Sequence, residues 1–224
     1  MHFHLPRPLH GWREFVGEVG IIVFGVLIAL GAEQLVESFH WKHQVADSRT
    51  ALDAEMARDN EAFAFRIAAR DCIAKRLQKL SDIIERAARH EPLPPVGPVI
   101  PDIGNALSSS AWETSRAAQT LDHFPREPLR LYGDFYLQVG SVQEFMLAEV
   151  GDWGILKVLQ GDPDRLGPTD ISGLRVAIQR ASFENYIIAS IAGEELRTSH
   201  QLSIKVPAAD QDRLAEVCRP LGGG

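Results

Sequence analysis

The stretch Val19-Gly-Ile-Ile-Val-Phe-Gly-Val-Leu-Ile-Ala-Leu-Gly-Ala32 is uncharged and apolar and lies near the N-terminus, between Glu18 and Glu33. This run has 14 residues, fewer than the ~20 with which a helix crosses a bilayer, so its flanks must decide the interpretation. Extended to Phe15 and Val36, the segment reaches 22 residues. That length predicts a membrane-spanning helix.

Two tryptophans bracket this segment. Trp12 and Trp41 are 29 residues apart, or about 43 Å along a helix that rises 1.5 Å per residue. This matches the ~40–45 Å between headgroup layers, where tryptophan side chains concentrate. A cleaved signal peptide is the alternative, because Ala29-Leu-Gly31 fits a small-x-small cleavage pattern. Since Glu18 interrupts the apolar region that such a peptide needs, we predict an uncleaved transmembrane anchor over 13–41, with both tryptophans at the membrane interfaces.

One face of this helix combines acidic and small residues, and we call it the docking face. At 100° per residue, seven side chains fall within about 60° of one line: Glu14, Glu18, Ile22, Gly25, Ala29, Ala32 and Glu33. Gly25 and Ala29 form a small-xxx-small pair that lets another helix approach closely. Carboxylates within a bilayer normally pair or face a bundle. We therefore expect this face to contact another transmembrane helix, either of a second copy of the chain or of a larger membrane complex, while the rest of the helix contacts lipid. The alternative is that both glutamates reach the headgroups.

Cys72 and Cys218 are the only cysteines in the chain. They are too few for a thiolate zinc site, and a disulfide between them is possible in an oxidising compartment. Two free thiols are the alternative.

Charges near the anchor do not fix its orientation, because Arg7 and Arg13 on one side are matched by Lys42 and Arg49 on the other. The short N-terminal tail, 1–12, and the possible disulfide favour a cytoplasmic N-terminus. We expect a single-pass protein of the bacterial inner membrane with a periplasmic C-terminal domain.

Residues 32–91 contain neither glycine nor proline, which is typical of helix. Apolar residues recur near the helical period: Leu52, Met56, Phe63, Ile67, Ile73, Leu77, Leu80 and Ile84. This pattern predicts that the membrane helix continues through 42–91 as a long amphipathic stalk that is also a bundle helix. A proline-rich loop, 92–109, follows.

The remaining bundle helices are expected within 110–219, ahead of a tail over 220–224. Ser110-Ala-Trp-Glu113 resembles a capping box that starts a short helix. Helical stripes then cover about 128–159 and 170–201, and Pro207 opens a last helix. Core positions of the first stripe are Tyr132, Phe135, Val139, Val142, Met146, Val150 and Trp153. Strand signals are nearly absent, so the sequence predicts an all-α fold, with a transmembrane helix continuing into a four- or five-helix bundle.

Signals for chemistry are few. The net charge of −7 gives no basic footprint for nucleic acid. The chain has no phosphate-binding loop, dinucleotide fingerprint, zinc-protease motif or nucleophile elbow. Glu37-x-x-His40 has the spacing of a di-iron motif but lacks the required second copy. We predict no cofactor, metal or catalytic residue, and expect any buried polar site at Phe183-Glu-Asn-Tyr186.

The N-terminal sequence resembles a known group of proteins. Its pattern is Trp12-Arg-Glu-Phe-x-Gly-Glu-x-Gly, an apolar run and Ala29-Leu-Gly-Ala-Glu-Gln34. It is similar to the start of uncharacterised, largely proteobacterial single-pass membrane proteins. The likeness continues through Leu52, Glu55, Asn60, Cys72, Ser110-Ala-Trp112 and Cys218. The resemblance implies a tethered helical domain and brings no established site residues.

These observations favour a non-enzymatic accessory or assembly protein. It would dock on partner transmembrane helices and present an exported helical domain. A periplasmic bundle that senses a small ligand is the first alternative, although the short tail leaves no output domain. A membrane-tethered enzyme is the second, and would need a deep pocket with converging ionisable groups.

Overall fold

A computed structural model describes residues 11–94, 96–101, 103–104, 106–160 and 166–221, with the side chain of Glu14 left aside. Most of the predicted tails, 1–12 and 220–224, therefore lies outside the described residues. The same holds for Arg7 and for Pro95 of the proline-rich loop. The described residues contain five α-helices and no β-strand, which confirms the all-α prediction.

Helix α1 runs without interruption from Trp12 to Ala88, 77 residues. The chain divides into two compact units, 1–47 and 48–224. In the first unit, α1 includes a segment long and apolar enough to span a membrane, and the most apolar part of it is not buried by any described residue. Its large side chains, such as Ile21 and Phe24, are exposed. One helix of the described chain is thus a candidate for a membrane span.

The second unit is built on three long helical segments: α1 from Ser48 onward, α3 (Arg126–Leu156) and α4 (Pro168–Gln201). Side-chain contacts give their directions. Asp53 of α1 meets Tyr132 of α3, and Arg66 further along α1 meets Glu149 further along α3, so these two helices run parallel.

Helix α4 runs antiparallel to α1. Asn60 of α1 contacts Ser199 near the end of α4, whereas Glu85 contacts Arg175 near its start. Two short helices complete the unit, α2 (Ser110–Ala117) and α5 (Gln211–Val217).

Most residues of the predicted apolar faces are buried in the core, whereas Met146 is only half-buried. Leu52, Leu77 and Phe135 are buried, but Ile67 is 38% and Val150 63% exposed. Ile67 lies at the edge of its stripe on the helical wheel. Near the end of α3, the buried residues are instead Glu149, Asp152, Trp153 and Leu156, and two of these are acidic.

Helix α1 ends in a Schellman motif ahead of the proline-rich loop. His90 takes a left-handed conformation, φ 55°. The His90 amide donates to the Ala87 carbonyl, and the Glu91 amide donates to the Arg86 carbonyl. These bonds satisfy carbonyls that a helix end leaves free.

The start of the last helix corrects the sequence prediction. Helix α5 begins at Gln211, not at Pro207. Asp210 is its N-cap, and the carboxylate accepts hydrogen bonds from the amides of Asp212 and Arg213. A carboxylate satisfies free amides at a helix start, whereas proline only tolerates that position.

The sulfur atoms of Cys72 and Cys218 are bonded, with Cα atoms 4.9 Å apart, and close a loop over a sequence separation of 146. Arg76, buried one helical turn from Cys72, reinforces this connection. Its guanidinium donates to the carbonyls of Pro98, Val217 and Arg219 at 2.7, 3.3 and 2.8 Å. The C-terminal segment is therefore held on α1 both covalently and by a buried cation.

Candidate functional site: the docking face and the polar interior

The docking face lies on α1 within the first unit. Its described side chains, from Glu18 to Glu33, are all exposed. A Cβ atom added at Gly25 would meet nothing within 4 Å. The side chain of Glu14 lies outside the described part of the molecule. The small and acidic residues therefore form an open surface in the isolated chain.

The two predicted interface tryptophans lie at either end of the same helical stretch. Trp12 is 76% exposed, and its ring lies 5.9 Å from that of Phe15. Trp41 donates from Nε1 to Glu37 at 3.4 Å, and its ring meets His40 edge to face. Glu37 therefore contacts Trp41, which lies one helical turn further along α1. In the described chain, Glu37 and His40 belong to no group of side chains that could hold a metal ion.

In the second unit, a carboxylate of α1 anchors the start of α2. Both hydroxyls of Ser108 and Ser110 donate to Glu55, at 2.6 and 2.7 Å, and the Ala111 amide donates to it at 3.1 Å. The Tyr136 hydroxyl also faces this carboxylate. Glu55 is fully buried.

The charge state of Glu55 follows from these contacts. Burial alone raises the pKa of a carboxyl group, but the hydrogen bonds from Ser108, Ser110 and Ala111 outweigh it and hold the pKa of Glu55 below its usual value. The carboxylate is therefore charged at neutral pH. Because its oxygens are occupied by these donors, the arrangement suits a structural clamp.

This clamp replaces the predicted capping box at Ser110–Glu113, which is wrong. Ser109 is the N-cap and makes no side-chain cap bond. Glu113 instead pairs with Arg116 on the surface. A charged carboxylate is a stronger acceptor for helix amides than a serine hydroxyl, so Glu55 takes that place from another helix.

One turn after Glu55, a second buried acid faces the same loop. Asp59 accepts a hydrogen bond from the Ser108 amide at 3.1 Å. Burial, with the nearby charge of Glu55, raises the pKa of Asp59 to about 7, although the Ser108 amide and the charge of Arg58 oppose this shift. Glu55 and Asp59 thus contact the same loop from one face of α1, but the pKa of Glu55 is lowered and the pKa of Asp59 is raised.

A second polar cluster lies where α1, α3 and α4 meet. The Arg66 guanidinium pairs with Glu149 at 3.0 Å, and both side chains are almost completely buried. Burial raises the pKa of Glu149, although Arg66 opposes that shift. Asp152, also buried, is 3.2 Å from the exposed guanidinium of Arg180.

Glu184 of α4 completes this second cluster. Burial raises the pKa of Glu184 to about 7, and the charges of Asp152 and Glu149 add to the shift against the weaker influence of Arg180. Next to it, Asn185 donates to the Arg70 carbonyl at 3.0 Å. The interior holds three carboxyl groups near two guanidinium groups.

The segment Phe183–Tyr186, where the sequence predicted any buried polar site, divides between core and surface. Glu184 and Asn185 are buried, whereas Phe183 and Tyr186 are exposed.

Trp112 stacks on Tyr136 with ring centroids 5.2 Å apart. This stack places α2 against α3.

The sequence-based prediction of the stalk considered only its apolar residues and assigned no structural role to the acids and the arginine of α1. The signal was present, since on a helical wheel Glu55, Asp59 and Arg66 fall among the apolar residues of the core face. Charged residues at core positions indicate buried pairs.

No family model matches the chain, and no curated protein or solved structure is detectably similar to it. In the described chain, no three His, Cys, Asp or Glu side chains are grouped to hold a metal ion.

Replacing the anchoring carboxylate should destabilise the second unit. Glu55→Gln removes the charge that accepts from two hydroxyls and an amide. We expect a loss of about 1–3 kcal/mol in the free energy of unfolding, because hydrogen bonds to a buried charge are lost. Chemical denaturation of the full chain in a non-ionic detergent measures it. Glu61→Gln, at an exposed position of the same helix, should change stability by less than about 0.5 kcal/mol. Equal effects of the two substitutions contradict the clamp.

Stability should fall as the pH rises from about 5 to about 8. Burial, with the charges of Asp134 and Glu194, raises the pKa of the α4 residue Glu195 to about 7. The pKa values of Asp59 and Glu184 are likewise raised to about 7 in the folded chain. An acid with a raised pKa stabilises the fold fully below its unfolded pKa, and this contribution is lost as the pH passes the folded value. Denaturation midpoints at several pH values measure the slope.

Glu184→Gln is the diagnostic variant for that slope. The neutral amide needs no proton, so the variant should lose less stability than the wild type between pH 5 and pH 8. Glu144→Gln, exposed on α3, is the matched control and should keep the wild-type slope. If Glu184→Gln also keeps it, Glu184 does not titrate in this range.

Proposed function

We propose that the protein is a single-pass protein of the bacterial inner membrane, anchored by the apolar segment of α1. The observation that carries this proposal is that the apolar segment is helical throughout and not buried by any described part of the chain. A helix satisfies its backbone hydrogen bonds internally, and hydrocarbon removes its apolar side chains from water.

In the proposed orientation, the N-terminus is cytoplasmic and residues 48–224 are periplasmic. The Cys72–Cys218 disulfide supports this side for the second unit, because disulfides persist in oxidising compartments and are rare in the cytoplasm. Arg13 and Lys42 flank the anchor symmetrically, so the disulfide is the stronger argument.

Within the membrane, the protein acts as a non-enzymatic accessory or assembly subunit. Its docking face contacts a transmembrane helix of a partner. The support is that Glu18 and Glu33 share a face with Gly25 and Ala29, and that this face is open. Carboxyl groups facing lipid are costly, whereas donors on a partner helix would satisfy them. The small residues allow that helix to come close.

A pair of matched double variants tests the docking face. Gly25→Leu with Ala29→Leu fills the face, and should reduce recovery of the partner by about fivefold or more, since a lost helix contact of 1 kcal/mol already has this effect. Gly20→Leu with Gly31→Leu adds similar bulk on the opposite side of the helix and should leave recovery unchanged.

The measurement is quantitative mass spectrometry of membrane proteins that co-purify with the tagged full chain in a mild non-ionic detergent. A second, differently tagged copy of the chain is expressed alongside, so that self-association is scored in the same experiment. If the partner is recovered in equal amounts with the Gly25/Ala29 variant and the Gly20/Gly31 variant, docking through this face is ruled out.

The orientation has its own test. Alkaline phosphatase fused to the C-terminus should be active, because the enzyme matures only outside the cytoplasm, and green fluorescent protein fused there should be dark. The control fusion lacks 13–41 and should reverse both signals. Fluorescence of the full-length fusion with an inactive phosphatase would place the second unit in the cytoplasm.

A further inference from the structure

The Cys72–Cys218 disulfide borders a concavity of about 490 Å³ with a positive lining. Four of its lining residues are cationic: Lys75, Arg76, Lys79 and Arg219. Among the described residues that line it, none is acidic. This concentration of positive charge is unexpected in a chain whose net charge is −7.

Most of these cations have no acidic partner. Arg76 is occupied by three backbone carbonyls. Lys75, Lys79 and Arg219, in contrast, form no ion pair with a carboxylate anywhere in the described ranges. Unpaired cations in one concavity attract anions and raise their local concentration.

The two cysteine residues differ in exposure. Cys218 is exposed, whereas Cys72 is only partly so. Lys75, Arg76 and Lys79 follow Cys72 on α1 by three, four and seven residues, and therefore share its side of the helix. Nearby cations stabilise a thiolate, and a stabilised thiolate leaves a disulfide faster.

We propose that this disulfide is an exchange site for a small anionic thiol, of the chemical class to which glutathione belongs. The thiolate of the incoming molecule attacks Sγ of Cys218 and forms a new S–S bond. The Cys72–Cys218 bond breaks, and its electron pair leaves on Sγ of Cys72 as a thiolate beside the cations. The products are a mixed disulfide at Cys218 and a free thiolate at Cys72.

Exchange would remove the covalent link between the C-terminal segment and α1. Val217 and Arg219 supply two of the three carbonyls that accept from the buried Arg76 guanidinium. Without the covalent link, α5 is held by these hydrogen bonds, by the burial of Val217 in the core and by the contact of the Arg213 guanidinium with the Phe65 ring. The site does not depend on the membrane anchor or on the docking face.

A charge series of small thiols tests the proposal on the full chain in a non-ionic detergent. The reagents are 2-mercaptoethanesulfonate, 2-mercaptoethanol and cysteamine, which carry a negative, a neutral and a positive group beside the thiol. The rate of each thiol with the protein is divided by its rate with an uncharged small disulfide, which corrects for differences in intrinsic reactivity. At low salt, we expect the anionic reagent to react roughly tenfold faster than the neutral one and the cationic reagent to react slowest. A factor of about ten is at the lower end of the rate increases that electrostatic steering produces. Added salt should reduce the difference.

Two further measurements separate this site from an ordinary surface disulfide. Lys75→Gln with Lys79→Gln should abolish the preference for the anionic thiol, whereas Lys157→Gln with Lys205→Gln, an equal charge change outside the concavity, should preserve it. Peptide mass spectrometry should find the adduct on Cys218. Equal normalised rates for the three thiols, an adduct mainly on Cys72, or an unchanged preference in the Lys75/Lys79 variant would each overturn the proposal.

Discussion

The requirement that buried charge be paired governs the second unit. Arg66 of α1 and Glu149 of α3 are both almost inaccessible to solvent and lie 3.0 Å apart. Removing either partner alone would leave an uncompensated charge in the interior, which typically costs about 3–5 kcal/mol. Asp53 with Tyr132 and Asn60 with Ser199 add polar contacts between the same long helices. The apolar core forms around these fixed points.

In the proposed membrane segment, the same requirement has a different solution. Glu18 and Glu33 are exposed in the isolated chain, and in hydrocarbon neither water nor another described side chain would serve them. In the second unit, by contrast, Glu55 receives its donors from within the chain. An internal partner makes Glu55 a structural clamp, whereas the lack of one at Glu18 and Glu33 is what favours the proposed role in recognition.

Much of the architecture could be predicted from the sequence because helix signals are local. The absence of glycine and proline over 32–91 and the apolar stripes around Leu77 and Phe135 depend only on neighbours in the chain. The roles of Glu55 and Arg66 depend instead on groups more than 50 and 80 residues away, which no local pattern specifies. The predicted capping box failed for this reason, since Glu55 takes the place that Ser110 and Glu113 were expected to fill. The disulfide was likewise left open, because sequence spacing does not bring two cysteines together.

We expect the buried polar contacts to specify the register of the helices more than they stabilise the fold. Apolar residues of matching volume in place of a buried ion pair are often neutral or stabilising, so stability alone does not explain Arg66 and Glu149. Apolar side chains also tolerate several packings of similar energy. A slip of α3 along α1 by one turn, about 5.4 Å, would separate Glu149 from Arg66 and Tyr132 from Asp53 at once. Such a slip is penalised at two places, whereas an all-apolar interface would repack. On this hypothesis, the charged residues on the core face of α1 select one arrangement of the bundle among those that its apolar stripes permit.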